Sequence, residues 1–73
     1  MLTSTINLPS FDVHVEMQDE GDIWIQAYFD EVDVKEQWTM LCLLMSEMRE
    51  ALNVELVETC VEHDCITARI KRP

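Results

Sequence analysis

One glycine, two prolines and five basic residues are the scarcest features of this 73-residue sequence. A lone glycine excludes a Gly-rich phosphate loop, whose backbone must come close to an anion at several consecutive positions. It also leaves no Gly/Ser linker, and neither an internal repeat nor a low-complexity tract is present. The longest apolar stretch, Met40 to Met45, is far below the roughly 20 residues that cross a bilayer. The opening Met-Leu-Thr-Ser-Thr-Ile lacks a basic segment followed by an apolar run, so neither export nor anchoring is expected. Three cysteines, Cys42, Cys60 and Cys65, are then expected to stay reduced, in a cytoplasmic protein.

Scarce bases face abundant acids: 15 Asp and Glu against 5 Lys and Arg, a net charge of −10. Three of those bases crowd into Arg69, Lys71 and Arg72, so up to Asp64 only Lys35 and Arg49 oppose all 15 carboxylates. Such a field repels phosphate, which excludes nucleic acid and anionic membrane as direct partners and makes a basic partner the natural expectation. A disordered acidic tail is excluded as well, because 48% of the residues are apolar and they alternate in order. The length allows one domain, residues 1–73, with a core that encloses only about 60% of the unfolded surface. A second copy would add stability to so small a core.

The pattern predicts two hairpins around one helix. Phe11, Val13, Val15 and Met17 alternate with polar residues, as do Ile23, Ile25, Ala27 and Phe29, so strands are expected at about 11–18 and 23–29. Asp19-Glu20-Gly21 suits a type I turn with a left-handed glycine, which pairs Gln18 with Asp22 and Phe11 with Phe29. Asp33 with Glu36 resembles a capping box, and Trp38, Leu41, Met45, Met48 and Leu52 recur at helical spacing, giving a helix over about 34–52 that ends at Asn53. Strands at about 55–62 and 65–71 follow, with His63-Asp64 as the turn or, since His-Asp suits a type I′ turn poorly, a four-residue loop of Glu62 to Cys65 with some local shift. Val61 then opposes Ile66, Thr59 opposes Ala68, Val57 opposes Ile70, Cys60 opposes Thr67 and Glu58 opposes Arg69. The expected fold is α+β, a two-layer β-β-α-β-β sandwich with a four-stranded antiparallel sheet covered on one face by the helix.

Chemistry-bearing residues are few. Cys60, His63 and Cys65, with His14, are the right ligand types for tetrahedral zinc, but Cys-x-x-His-x-Cys lacks the usual Cys-x-x-Cys pair. A turn histidine between two strand residues explains the same pattern. Asp19, Glu20 and Asp22 do not fit a calcium loop, and no nucleophile stands beside a base, so no enzyme is expected. Trp24 and Tyr28 are different, because the strand alternation turns them away from the helix-covered face, where such side chains anchor partners. On the same outward positions, Asp12 and Glu16 lie two steps apart, as do Glu58 and Glu62.

In size, net charge, absence of a catalytic motif and compact α+β pattern, the chain resembles the small acidic inhibitors that bacteriophages encode against host defence, anti-CRISPR proteins in particular. That resemblance implies stoichiometric blocking of a nucleic-acid-binding surface in the host cytosol, with no cofactor. The resulting expectation is a non-enzymatic, DNA-mimic-like binding protein that meets a basic, nucleic-acid-binding partner through Asp12, Glu16, Asp19, Glu20, Asp22, Trp24, Tyr28, Asp30, Glu31 and Glu36. Two alternatives stand beside it. One is a homo-oligomer joined by a helix seam of Met40, Leu43, Leu44 and Met48; the other is a small zinc protein.

Overall fold

The computed structural model describes residues 2–18 and 21–71, and places in them five strands and one helix. The strands are β1 (Leu2–Asn7), β2 (Asp12–Met17), β3 (Ile23–Tyr28), β4 (Glu55–Val61) and β5 (Cys65–Lys71), with α1 (Val34–Leu52) between β3 and β4. They form one antiparallel sheet in the order β1-β2-β3-β5-β4. The architecture is α+β, but the sheet has five strands where the sequence pattern suggested four. The additional strand is β1, whose Thr3, Ser4 and Thr5 lack the apolar alternation of the others. It is an edge strand, held by its pairing from Leu2 opposite Met17 to Asn7 opposite Asp12.

Turn chemistry sets the β2–β3 register. Gly21 adopts φ 87°, the Gly21 amide donates to the Gln18 carbonyl at 2.9 Å, and the Gln18 amide donates to the Asp22 carbonyl at 2.9 Å. Met17 therefore opposes Ile23, Val15 opposes Ile25 and Val13 opposes Ala27. Beyond the ladder, the Phe11 and Phe29 rings meet edge to face at 5.6 Å. One face of the sheet thus becomes apolar, and Val13, Ile25, Ala27, Ile66 and Ala68 are fully enclosed there beneath Leu44 and Met48.

The helix ends where its chemistry requires. Asn53 takes a left-handed conformation (φ 54°, ψ 47°) and its amide donates to the Arg49 carbonyl at 3.0 Å. Its start differs from the capping-box expectation: the Asp33 side chain makes no cap hydrogen bond, and the turn is closed by the Glu36 amide donating to the Asp33 carbonyl at 2.9 Å. The buried face differs too. Leu41, Leu44 and Met48 are enclosed, whereas Trp38, Met45 and Leu52 are exposed. At 100° per residue this is a rotation of roughly 45° from the centre of the predicted face. The apolar arc of α1 is wider than one stripe, so periodicity alone does not select which sector meets the sheet. The predicted seam of Met40, Leu43, Leu44 and Met48 is thereby corrected, since Leu44 and Met48 are core and Met40 packs against it.

The second hairpin carries another correction. Val61 opposes Ile66 and Cys60 opposes Thr67, with the Glu62 amide donating to the Cys65 carbonyl at 2.8 Å across the His63-Asp64 turn. Between Cys60 and Val57 the register shifts, so that Val57 opposes Arg69 and Leu56 opposes Ile70. The expected pairs Val57 with Ile70, Thr59 with Ala68 and Glu58 with Arg69 are therefore absent from the ladder. A bulge accommodates the extra residue: Glu58 adopts φ 52°, a left-handed conformation that costs a non-glycine residue roughly 1 kcal/mol. The gain is that Leu56, larger than Val57, enters the core. Leu56→Ala is therefore expected to lose about 2–4 kcal/mol in urea unfolding, and Val57→Ala about 1 kcal/mol or less. The reverse order would contradict the bulged register.

Candidate interaction face

The side of the sheet away from α1 has no covering element among the described residues. The strand register orders it in rows. Thr3, Glu16, Trp24, Arg69 and Val57 form one row, and Thr5, His14, Gln26, Thr67 and Cys60 the next. Asn7, Asp12, Tyr28 and Cys65 form the third. Two carboxylate and aromatic neighbours stand out, Glu16 directly opposite Trp24 and Asp12 directly opposite Tyr28. Side chains directly opposite on one face lie about 4.5–5.5 Å apart at Cβ, close enough to contact the same ligand group.

Several contacts fix this face in place. Tyr28 donates its hydroxyl to Gln26 Oε1 at 2.9 Å, and its ring meets His14 edge to face at 6.0 Å. Arg69 Nη2 donates to Glu58 Oε1 at 2.9 Å. That hydrogen bond, more than its Coulomb attraction, holds the Arg69 guanidinium on the charged side of an already high pKa. Between Trp24 and His14 lies a recess of about 320 Å³, lined by Thr3, His14, Glu16, Gln18, Trp24, Gln26 and Thr67. Trp24 is half-buried in its wall, and Tyr28 is exposed.

The face runs into a strongly acidic end. There the Val32 amide donates to the His63 carbonyl at 2.8 Å and the Phe29 amide to the Asp64 carbonyl at 3.1 Å. These bonds tie the β3–α1 connection to the β4–β5 turn. Asp30, Glu31 and Asp33 from the connection, Glu36 from the first helical turn, Glu62 and Asp64 from the hairpin and Asp12 from β2 consequently share one end of the molecule. Of the ten residues expected from sequence to contact a partner, Asp12, Glu16, Trp24 and Tyr28 lie on the uncovered face. Asp30, Glu31 and Glu36 lie at the acidic end next to it. Asp22 sits at the opposite end, beside Arg69, while Asp19 and Glu20 lie outside the described residues. Sequence reasoning did not foresee Glu62 and Asp64 in this cluster, because only the hydrogen bonds between two distant connections bring them there.

Cys60 and Cys65 also occupy the uncovered face, without forming a disulfide. Among the described residues, no three His, Cys, Asp or Glu side chains gather as metal ligands, so Cys60, His63 and Cys65 do not converge with His14 as a tetrahedral site. No helix of the described residues is long and apolar enough to cross a membrane. The chain matches no protein-family model, no curated protein and no solved structure.

Burial pushes the Cys65 thiol above the ordinary range; a hydrogen bond with Thr67 opposes the shift, and the nearby Glu62 and Asp64 carboxylates add to it. The thiolate is the reactive form. At about pH 8, a disulfide-exchange reagent is therefore expected to label exposed Cys42 and Cys60 before Cys65, as followed by mass spectrometry. Equal labelling rates would contradict this placement of Cys65.

Proposed function

We propose that the chain is a non-enzymatic acidic binding protein that occupies a basic, nucleic-acid-binding surface of a partner protein, acting as a DNA-mimic-like inhibitor of the anti-CRISPR type encoded by phages. The observation that carries this reading is the placement of Glu16 beside Trp24 and Asp12 beside Tyr28 on the uncovered sheet face. A carboxylate next to an aromatic ring offers a lysine or arginine two attractions at once, an ion pair at its charged end and a ring face beneath it. The two sites are four residues apart along β2, about 13 Å at roughly 3.3–3.4 Å per residue. That equals the axial advance of about four nucleotides at 3.4 Å each. The chain would thus substitute for separated phosphates, not adjacent ones.

The acidic end supports the same reading through the rate of encounter. Its carboxylates present a one-sign field to any basic surface within a Debye length of about 8 Å. Such a field accelerates and orients association, while desolvated aromatic contacts govern how slowly the complex comes apart. The surfaces divide these tasks. Asp30, Glu31, Glu36, Glu62 and Asp64 attract, and the recess at Trp24 retains.

The test uses immobilised chain and nuclease-treated bacterial lysate. Captured proteins are expected to be nucleic-acid-binding proteins that elute by about 0.5 M salt, where the Debye length is only a few Å. DNA added at excess should compete them off. The double variant Asp12→Asn, Glu16→Gln should weaken capture by roughly 10–100-fold, and Trp24→Ala should raise the dissociation rate by about 10-fold or more. Capture that is indifferent to salt, to DNA and to these substitutions would overturn the reading.

A further inference from the structure

The uncovered sheet face does not account for the most exposed apolar side chains of the molecule, which lie on α1. Trp38 is 71% exposed and Val34 81%, and Met45 and Leu52 continue the same line at 46% and 42%. Trp38, Met45 and Leu52 recur every seven residues, so they form one stripe about 21 Å long at 1.5 Å per residue. Lone exposed apolar residues need no explanation, but an aligned stripe containing tryptophan marks a contact surface. The reading of the acidic face neither requires nor explains it.

We infer that this stripe joins two copies of the chain, with the helices antiparallel about a two-fold axis passing near Met45. Three observations select a second copy as the occupant. First, the stripe is self-complementary: Trp38 and Leu52 are equally far from Met45, so each Trp38 meets the last turns of the other helix. There a recess of about 250 Å³ is lined by Met45, Arg49, Val54, Glu55 and Leu56. It offers an indole both apolar walls and the Arg49 guanidinium.

Second, the charges match under the same operation. Lys35 stands in the first turn of α1 and Glu55 just beyond its last turn, so the antiparallel arrangement brings each Lys35 toward the end of the other helix that carries Glu55. Glu55 is already on this flank, since Arg49 Nη1 reaches its Oε1 at 3.6 Å. Third, the flank is the least acidic surface of α1. Lys35 and Arg49 border the stripe, whereas Glu36, Glu47 and Glu50 project from the opposite side at helical spacing. The antiparallel arrangement also sends the two acidic ends, which lie at the helix N-termini, in opposite directions. A chain of charge −10 that self-associates must do so where like charges are farthest apart, and this geometry provides that.

Sedimentation of the full chain reads the proposal directly. The expected species is twice the 8.6 kDa of one chain. The dimer should tighten as salt rises from about 0.05 to about 0.5 M, because screening relieves repulsion between two bodies of like charge. This is the opposite salt dependence from a complex with a basic partner, so failure here and failure of the proposed function are distinguishable. Trp38→Glu should weaken dimerisation by at least about 30-fold and leave the circular dichroism spectrum unchanged, since Trp38 contributes little to the core. Register is tested in a chain with Cys42, Cys60 and Cys65 changed to serine. Met45→Cys in that background should form a covalent dimer in oxidised glutathione, and Glu50→Cys should not. A wild-type monomer at high salt, a dimer indifferent to Trp38→Glu, or cross-linking as ready through Glu50→Cys as through Met45→Cys would overturn the inference.

Discussion

A single helix cannot cover a five-stranded sheet. Five strands at about 4.8 Å spacing make a layer roughly 20–24 Å wide, whereas a helix with its side chains is about 10–12 Å across. The other surfaces follow from this mismatch. The helix lies closest to β4, and toward the other strands a wide apolar groove of about 530 Å³ stays open between Ile6, Val15, Ile23, Ile70 and Leu52. The connection between β1 and β2 covers some of the remainder: Leu8 and Phe11 fold into the core, and the Ser10 amide donates to Glu47 Oε1 at 3.1 Å. Even so, one helix flank and one whole sheet face are left to solvent. In a chain this short, surfaces left over from folding are the surfaces available for binding.

Charge then distinguishes those surfaces. Fifteen carboxylates on a body 35 by 21 by 21 Å repel one another, and the repulsion is smallest when they stand on connections and helix ends with full access to water. Most of them do. The arrangement remains asymmetric because the β3–α1 connection is bonded to the β4–β5 turn, which concentrates seven carboxylates at one end. Lys71 and Arg49 lie at the other, near the helix C-terminus, where a cation suits the helix dipole. The molecule therefore has an electrostatic direction as well as a net charge, a field that orients any oppositely charged body approaching within a Debye length.

Wherever local chemistry decided the structure, it was legible in the sequence. Gly21 after two acidic residues specified the first hairpin and its register, and Asn53 specified where the helix stops. Where two surfaces competed for the same segment, the sequence was ambiguous. Both Trp38–Met45–Leu52 and Leu41–Leu44–Met48 are apolar lines of α1, and tertiary packing against Val13, Ile25 and Ile66 chose the second. β1 was hidden for a related reason, because an edge strand with one neighbour can be rich in Thr and Ser. For the candidate site, strand alternation was enough to place Asp12, Glu16, Trp24 and Tyr28 outward. It could not foresee that Glu62 and Asp64 would join Asp30 and Glu31, since that depends on two hydrogen bonds between segments some 30 residues apart.

The bulge in β4 connects the core to the proposed interaction face most closely. Without it, the uniform register would turn Val57 inward and leave Leu56 on the uncovered face, an exchange that lowers core volume and exposes the larger side chain. With it, Glu58 departs from the ladder and its carboxylate reaches Arg69 at 2.9 Å. Arg69 is the cross-strand neighbour of Trp24 on the side opposite Glu16. A free guanidinium there would compete with any incoming cation for both the indole and the carboxylate. Held by Glu58, it is directed away from that role, so the irregularity that improves the core also leaves Glu16 and Trp24 open to a cation from outside.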